Sequence, residues 1–205
     1  MRYIFLDCET TGLSPLAHRV VCIGTKVGTE EHVLMDKDEK KMLEEFINTI
    51  AEGDVLVGYN TPFDVGFLVL RSLKHGVDPR KLLGRTQIDL MQKVRGLTRE
   101  KYVSLREVAV CFGLNYGKAN GASVPELWET GEHGPIREHC LSDVRVTEQL
   151  FEKLKPLVVE LATDPQKSYM RRLGVLFDKK TTKDEASRLI DESKKGRGKF
   201  EKKQG

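Results

Sequence analysis

The chain has 205 residues, of which 39% are hydrophobic and 32% charged, and its formal net charge is +3. This length can bury one sizeable core with room for an appendage. The apolar start is too short for a signal peptide and no later run is as long as a membrane span, so the sequence predicts a cytoplasmic protein without a membrane partner. The four cysteines are scattered and form no Cys-x-x-Cys pair, which argues against a zinc site.

Hydrophobic patterns in the first half predict strands and helices that alternate along the chain. Apolar runs of about four to eight residues indicate strands, and apolar residues at helical spacing indicate helices. The pair Thr61-Pro62 is typical of a helix start, because proline is tolerated in the first turn. The predicted strands are residues 3–7, 19–27, 31–35, 54–58 and 87–90, and the predicted helices between them are residues 37–51 and 61–76.

Helices predominate in the second half. Ser104 and Glu107 have the spacing of a capping box, in which the two side chains satisfy the first free N–H groups of a helix. Apolar residues then recur at helical spacing between Pro135 and Pro156, which predicts one long helix.

The carboxyl end is basic and differs in character from the rest. Residues 166–205 contain 13 Lys and Arg against 6 Asp and Glu, a net charge of +7, so the remainder carries −4. Two short helices are predicted at residues 163–174 and 182–193, and the sequence from Lys194 onward is too poor in apolar residues to fold. We therefore predict one domain at residues 1–160 and a basic helical appendage with a disordered tail at residues 161–205. Its basic side chains could follow a phosphate backbone, and a solvated charged face is the alternative.

Asp7 and Glu9 stand at the end of the first predicted strand. Side chains two residues apart on a strand project to the same face, so both carboxylates can reach one cation. They directly follow a buried strand, and open α/β sheets place their sites at the carboxyl ends of such strands. Two solvated acids at an exposed strand end are the alternative explanation.

Further acids occur where predicted helices could bring them to the same place. Asp64 lies in a first helical turn, where the helix dipole alone would also stabilise a carboxylate. His139 and Asp143 are one turn apart on the long helix and share a face, a pairing that is also found for purely structural reasons. Together with the two acids of the first strand, these residues predict a pocket for divalent metal ions.

Three segments in order, Phe5–Leu13, Gly58–Asp64 and His139–Asp143, resemble the three motifs of the DEDD superfamily of 3′–5′ exonucleases. The resemblance covers residues 2–157 and is nearest to the proofreading domains of family B DNA polymerases. It implies the α/β fold of a free-standing ribonuclease-H-like domain, a mixed five-stranded sheet flanked by helices. This agrees with the order of strands and helices predicted from the hydrophobic pattern.

The resemblance also implies how the acids would act. Asp7, Glu9 and Asp143 would hold one divalent cation, Mg²⁺ or Mn²⁺, and Asp7 with Asp64 would hold a second. His139 would orient the attacking water or accept its proton, which suits a side chain that titrates near neutral pH.

Three residues beside these motifs are implied to bind the substrate. Leu13 follows a sharp turn and would wedge against the terminal nucleotide, although a turn that presents a core leucine is the alternative. For Asn60, a polar residue that merely ends a strand is the alternative. The implied substrate-binding residues are Thr10, Leu13 and Asn60.

The third motif departs from the pattern of the family. The histidine-type branch has four residues between His and Asp, and the tyrosine-type branch has Tyr with three residues between. This chain has His139 at the tyrosine-type distance from Asp143. The shorter spacing still turns both side chains to one face of the helix, so His139 can reach the site.

The resemblance implies a metal-dependent 3′–5′ exonuclease that removes nucleotides from single-stranded DNA and releases 5′-monophosphates. Such a protein would act in DNA repair or proofreading, with a polymerase or repair protein as partner. RNA remains an alternative substrate, because no residue is marked as one that reads the 2′-hydroxyl. A ribonuclease-H-type endonuclease and a non-catalytic nucleic-acid-binding subunit are further alternatives. The second is disfavoured because a binding module has no use for acids that repel one another.

Overall fold

The structure, a computed structural model, describes residues 2–116, 124–178 and 181–201. The chain divides into two compact units, Met1–Leu154 and Lys155–Gly205. The first unit contains all the acids of the predicted pocket, and the second contains the two predicted short helices.

A mixed sheet forms the centre of the first unit. Its strands are β1 (Arg2–Thr10), β2 (Val20–Val27), β3 (Glu30–Leu34), β4 (Asp54–Gly58) and β5 (Thr86–Asp89). They lie in the order β3-β2-β1-β4-β5. The β1–β2 and β2–β3 pairs are antiparallel, whereas the β1–β4 and β4–β5 pairs are parallel and need helical crossovers. The predicted mixed five-stranded sheet is confirmed.

Helices flank this sheet. They are α1 (Glu39–Thr49), α2 (Thr61–Lys74), α3 (Arg80–Leu83), α4 (Leu90–Thr98), α5 (Leu105–Cys111), α6 (Val124–Thr130) and α7 (His133–Val158). The capping box predicted at Ser104 and Glu107 begins α5. The helices α3, α4 and α6 were not predicted from the hydrophobic pattern.

The side chains of β1 alternate between two helical layers. On one face, a cluster with residues of α1 and α2 buries the even-numbered residues Ile4, Leu6 and Cys8. On the other face, Phe5 packs against Phe151 of α7, with ring centroids 5.5 Å apart. Because Asp7 and Glu9 follow Phe5 at intervals of two residues, they lie on the α7 face.

Gly24 allows α7 to approach the sheet closely. It lies on β2 opposite Asp7 in the antiparallel register. A Cβ atom at this position would be only 2.7 Å from Cys140 Sγ and 3.2 Å from Val144 Cγ2, both on α7. The lack of a side chain here therefore lets α7 run directly over the part of β1 that carries the acids.

The second unit is a pair of helices around a small apolar cluster. They are α8 (Asp164–Leu173) and α9 (Lys183–Glu201), and Thr163 with Gln166 forms a capping box at the start of α8. The helix α9 ends at Glu201, beyond the predicted end at residue 193, and residues 202–205 lie outside the described part, so the disordered tail stays a prediction. Among the helices that the structure describes, none combines the length and apolar character needed to cross a membrane.

Candidate active site

Asp7 and Glu9 lie side by side at the end of β1, half-buried below α7. The parallel pairing of β1 with β4 runs only as far as Phe5 and Val57, so the acids extend beyond the last residue that β4 pairs. One oxygen of each carboxylate and the Sγ atom of Cys140 all lie within 4.8 Å of one another. The end of β1 therefore offers a compact group of metal-ligating atoms.

Asp64 reaches the same strand end from the other helical layer. It lies in the first turn of α2 and is only 4% exposed. Its Oδ1 atom accepts a hydrogen bond of 2.9 Å from the backbone N–H of Cys8. Because Cys8 stands between Asp7 and Glu9, this bond fixes Asp64 next to both of them.

His139 and Asp143 come to the site from α7. The His139 Nε2 atom is 3.7 Å from Glu9 Oε1, and its Nδ1 atom is 3.8 Å from Asp143 Oδ1. Both distances are too long for hydrogen bonds. His139 Nδ1 and Asp143 Oδ1 are buried without a hydrogen-bond partner. The imidazole thus lies between acids of two elements, and two polar atoms remain available to a ligand.

The electrostatics show that the four acids act on one another. Burial and the charge of Asp143 raise the pKa of Asp7 from 3.8 to about 8. Burial and then the charges of Asp7 and Asp143 raise the pKa of Glu9 well above its ordinary value. Burial and repulsion from Asp7 do the same to the pKa of Asp64, and burial raises the pKa of Asp143. The structure therefore brings together the four carboxylates that the sequence predicted to converge.

Divalent cations fit this arrangement. Carboxylate oxygens are the ligands that hard cations such as Mg²⁺ and Mn²⁺ prefer. Within the ranges that the structure describes, no lysine or arginine forms an ion pair with any of the four acids. A bound cation would offset their mutual repulsion and give the unpartnered Asp143 Oδ1 atom a partner.

Two further residues of the site were not predicted. Cys140 is fully buried, and its Sγ donates to the Asp7 backbone oxygen over 3.5 Å. Its position on α7, three residues before Asp143, could have indicated that it faces the acids. The hydroxyl of Tyr116 donates to Asp143 Oδ2 over 3.4 Å. No sequence signal indicated this contact, because it depends on the path of the chain after α5.

The predicted substrate-binding residues lie next to the acids in the chain but differ in their surroundings. The Thr10 hydroxyl donates to the Gly12 carbonyl over 2.7 Å and stabilises the turn after β1. Leu13 is 85% exposed, so its alternative interpretation as a core leucine is wrong. Asn60 has a left-handed backbone with φ 67°, and its N–H donates to Asp89 Oδ1 over 2.9 Å. Its side chain makes no capping bond to α2.

Comparisons with known proteins agree with this fold. A family model described as the RNase_H superfamily matches residues 4–155, a range that contains all four acids and His139. An uncharacterized protein of Methanocaldococcus jannaschii is 35% identical over 170 residues, which cover 75% of this chain and 96% of that protein.

More distant similarities extend to larger proteins. A DNA polymerase of Archaeoglobus fulgidus is 22% identical over 187 residues, 79% of this chain but only 24% of the polymerase. A solved structure of Exonuclease I in its apo form has a TM-score of 0.57 and 13% identity. The likeness covers 84% of this chain and 45% of that chain, so this chain spans less than half of its length, and it shows a shared fold. With most of its length matched by the family model, the chain belongs to the RNase_H superfamily.

Proposed function

We propose that this protein is a metal-dependent 3′–5′ exonuclease that hydrolyses phosphodiester bonds at the 3′ end of single-stranded DNA and releases 5′-monophosphates. One observation carries the proposal: Asp7, Glu9, Asp64 and Asp143 converge in a partly buried site where, among the described residues, none of them forms an ion pair with a lysine or arginine. Such a cluster is unfavourable in the free protein, and a site that binds cations and a phosphodiester explains it. The chemistry is assigned to the predicted domain at residues 1–160.

The four acids would hold the cations, with Asp7, Glu9 and Asp143 around one and Asp7 with Asp64 at a second. When bound, Mg²⁺ or Mn²⁺ supplies positive charge that stabilises the anionic phosphodiester during hydrolysis and makes the attacking water more acidic. The protein positions these acids before substrate arrives, because β1 fixes two of them, the Cys8 N–H fixes Asp64, and α7 carries the last.

His139 would accept the proton of the attacking water. Its ring lies between Glu9 and Asp143, and its Nε2 and Nδ1 atoms are each within about one water's reach of a carboxylate oxygen. The tyrosine-type spacing of the motif is compatible with this role, because both side chains share one face of α7.

The terminal nucleotide would lie against the loop after β1 and the start of α2. The exposed Leu13 side chain would pack on the last base, and Thr10 would shape the turn that presents it. Asn60 would contact the nucleotide through its side chain, whose position depends on a strained left-handed backbone that Asp89 holds in place.

The choice of DNA is supported by the similarity to a DNA polymerase over 79% of this chain. This similarity is also our reason to propose a polymerase or repair protein as a partner and a role in repair or proofreading. RNA ends are the closest competing substrate, since a single-stranded RNA end presents the same phosphodiester and is distinguished mainly by its 2′-hydroxyls.

A time course on single strands labelled separately at the 5′ and the 3′ end tests the proposal. With Mg²⁺ or Mn²⁺, we expect a 5′-labelled DNA strand to shorten in single steps, a 3′-labelled strand to release mononucleotide at once, and EDTA to stop both. Internal fragments at early times would instead indicate a ribonuclease-H-type endonuclease. Binding of the strand without turnover would indicate a non-catalytic binding subunit, and faster cleavage of a matched RNA strand would reassign the substrate.

A further inference from the structure

Tyr116 brings a phenol hydroxyl to the edge of the acid cluster. It follows α5 and is half-buried, and its hydroxyl donates to Asp143 Oδ2 over 3.4 Å. The two oxygens of Asp143 are therefore in different situations, because Oδ1 is buried without a hydrogen-bond partner. One oxygen is held by the tyrosine, and the other is left available at the site.

The backbone and a neighbouring arginine hold Tyr116 in this place. The guanidinium of the exposed Arg106, on α5, stacks over the tyrosine ring, with its central carbon 5.2 Å from the ring centroid. Hydrogen bonds from Leu114 N–H to Ala109 O, 2.8 Å, and from Tyr116 N–H to Leu114 O, 3.0 Å, fix the chain between the helix and the ring. A cation stacked on an aromatic face restricts the ring, so the hydroxyl is presented in a fixed direction.

Arg106 also acts on the same carboxylate. Burial raises the pKa of Asp143, and the nearby charge of Arg106 acts in the opposite direction. Arg106 therefore lies near both the ring of Tyr116 and the carboxylate that the tyrosine hydroxyl contacts.

We propose that Tyr116 is a positioning residue for Asp143: it holds Oδ2 so that Oδ1 is presented to a divalent cation, and Arg106 keeps its ring in place. The inference rests on the proposed function, because it takes Asp143 to be a cation ligand. Groups that orient a ligand without touching the metal commonly change its affinity by about 10- to 100-fold. The contact here is long for an O–H···O bond, so we expect the lower end of this range.

Tyr59 provides a matched comparison. It is also half-buried, and its hydroxyl donates to a backbone oxygen, that of Val103, over 2.7 Å. This bond is shorter than that of Tyr116, yet it joins two segments of the chain and involves none of the four acids. Tyr59→Phe therefore removes a structural hydroxyl of the same kind, whereas Tyr116→Phe removes one that orients a ligand.

The test measures Mn²⁺ binding to the full chain without nucleic acid, by calorimetry and by the electron paramagnetic resonance signal of free Mn²⁺. We expect Tyr116→Phe to raise the Kd for Mn²⁺ about tenfold and Arg106→Gln to raise it about threefold. Tyr59→Phe should leave the Kd unchanged, and Asp143→Asn should weaken binding more than any of them. Thermal unfolding of each variant without metal shows whether it is folded.

The outcomes separate this inference from the function on which it rests. If wild type binds Mn²⁺ and Asp143→Asn weakens it, but Tyr116→Phe has a Kd within about twofold of wild type, the positioning role is wrong and the proposed function stands. If Tyr59→Phe weakens binding as much as Tyr116→Phe, the effect is a general loss of rigidity and the inference also fails. If wild type binds no Mn²⁺, the metal-dependent function falls and the inference falls with it.

Discussion

Glu39 and the four-acid cluster are both buried, yet the protein treats their charges in opposite ways. The Glu39 side chain is 5% exposed and is surrounded by donors. Arg71 donates to it through Nε and Nη2 over 2.9 and 2.6 Å, the Val20 N–H donates over 2.8 Å, and His75 Nε2 is 2.9 Å away. Although burial opposes ionisation, these partners lower the pKa of Glu39.

The acids at the end of β1 have no such set of partners. Asp64 accepts one backbone N–H, Asp143 accepts one tyrosine hydroxyl, and the pKa of each is still raised. The comparison shows that this chain can neutralise a buried carboxylate fully where the role is structural. The cluster therefore differs from Glu39 in its surroundings, and we propose a bound cation as its counter-charge.

Asp7→Asn should give the largest effect. It tests whether the four-acid cluster has a catalytic role. We expect cleavage to fall by about a thousandfold or more, because Asp7 is assigned to both cations. Without metal, the variant should be at least as stable as wild type, since one mutually repelling charge is gone. Cleavage of end-labelled strands and thermal unfolding in EDTA measure the two effects.

Asp78→Asn, at an exposed pair with Arg80, is the matched control and should change neither. Cleavage at the wild-type rate would remove Asp7 from the mechanism.

Glu39→Gln tests the other side of the comparison, the buried carboxylate with a structural role. The substitution leaves the buried Arg71 guanidinium without its counter-charge, so we expect a loss of about 3–5 kcal/mol in the free energy of unfolding. Urea denaturation measures it. The control is Glu44→Gln on the same helix, in an exposed pair with Lys40, which should cost less than about 0.5 kcal/mol. Equal costs for the two variants would show that the buried pair contributes no more than a surface pair.

Much of this contrast could be predicted from the sequence, and part of it could not. Asp7 and Glu9 were placed by the period of a buried strand, and His139 with Asp143 by the period of a helix, both local patterns. Their convergence followed from the order of the motifs. The partners of Glu39 are 19 to 36 residues away in the chain, and Tyr116 is 27 residues from Asp143. Such contacts depend on how loops place whole elements, which no local period reveals.

The pH dependence of stability should also distinguish the two sets of acids. Unfolded Asp7 titrates near 3.8 and folded Asp7 near 8, so between these values the folded metal-free protein holds more protons than the unfolded chain. Its free energy of unfolding should therefore fall as pH rises from about 4 to about 8, by roughly 1.4 kcal/mol per pH unit and on the order of 5 kcal/mol in all. Glu39 acts in the other direction, because its lowered pKa gives stability that is present above 4.5 and lost as pH falls.

Urea denaturation across this pH range, with and without Mn²⁺, measures the effect. Saturating Mn²⁺ should abolish the fall toward pH 8, since it supplies the charge that the ionised acids lack. Asp7→Asn should show a smaller fall without metal. Stability that rises steadily from pH 4 to pH 8 in EDTA would contradict the raised pKa of Asp7.

Gly24→Ala should have the smallest effect. It tests whether the position of α7 over the sheet affects the four-acid cluster but not Glu39. The new methyl group would lie 2.7 Å from Cys140 Sγ, and because this side chain is buried we expect α7 to shift, at a cost of about 1–3 kcal/mol. The shift would move Asp143 relative to β1 and leave Glu39 in place. We therefore expect weaker Mn²⁺ binding with an unchanged dependence of stability on pH below 5.

Gly96→Ala on α4 is the control, because no atom lies within 4 Å of its new methyl group. It should stabilise the protein by about 0.5–1 kcal/mol. Wild-type Mn²⁺ affinity in a destabilised Gly24→Ala protein would show that the acids tolerate movement of α7.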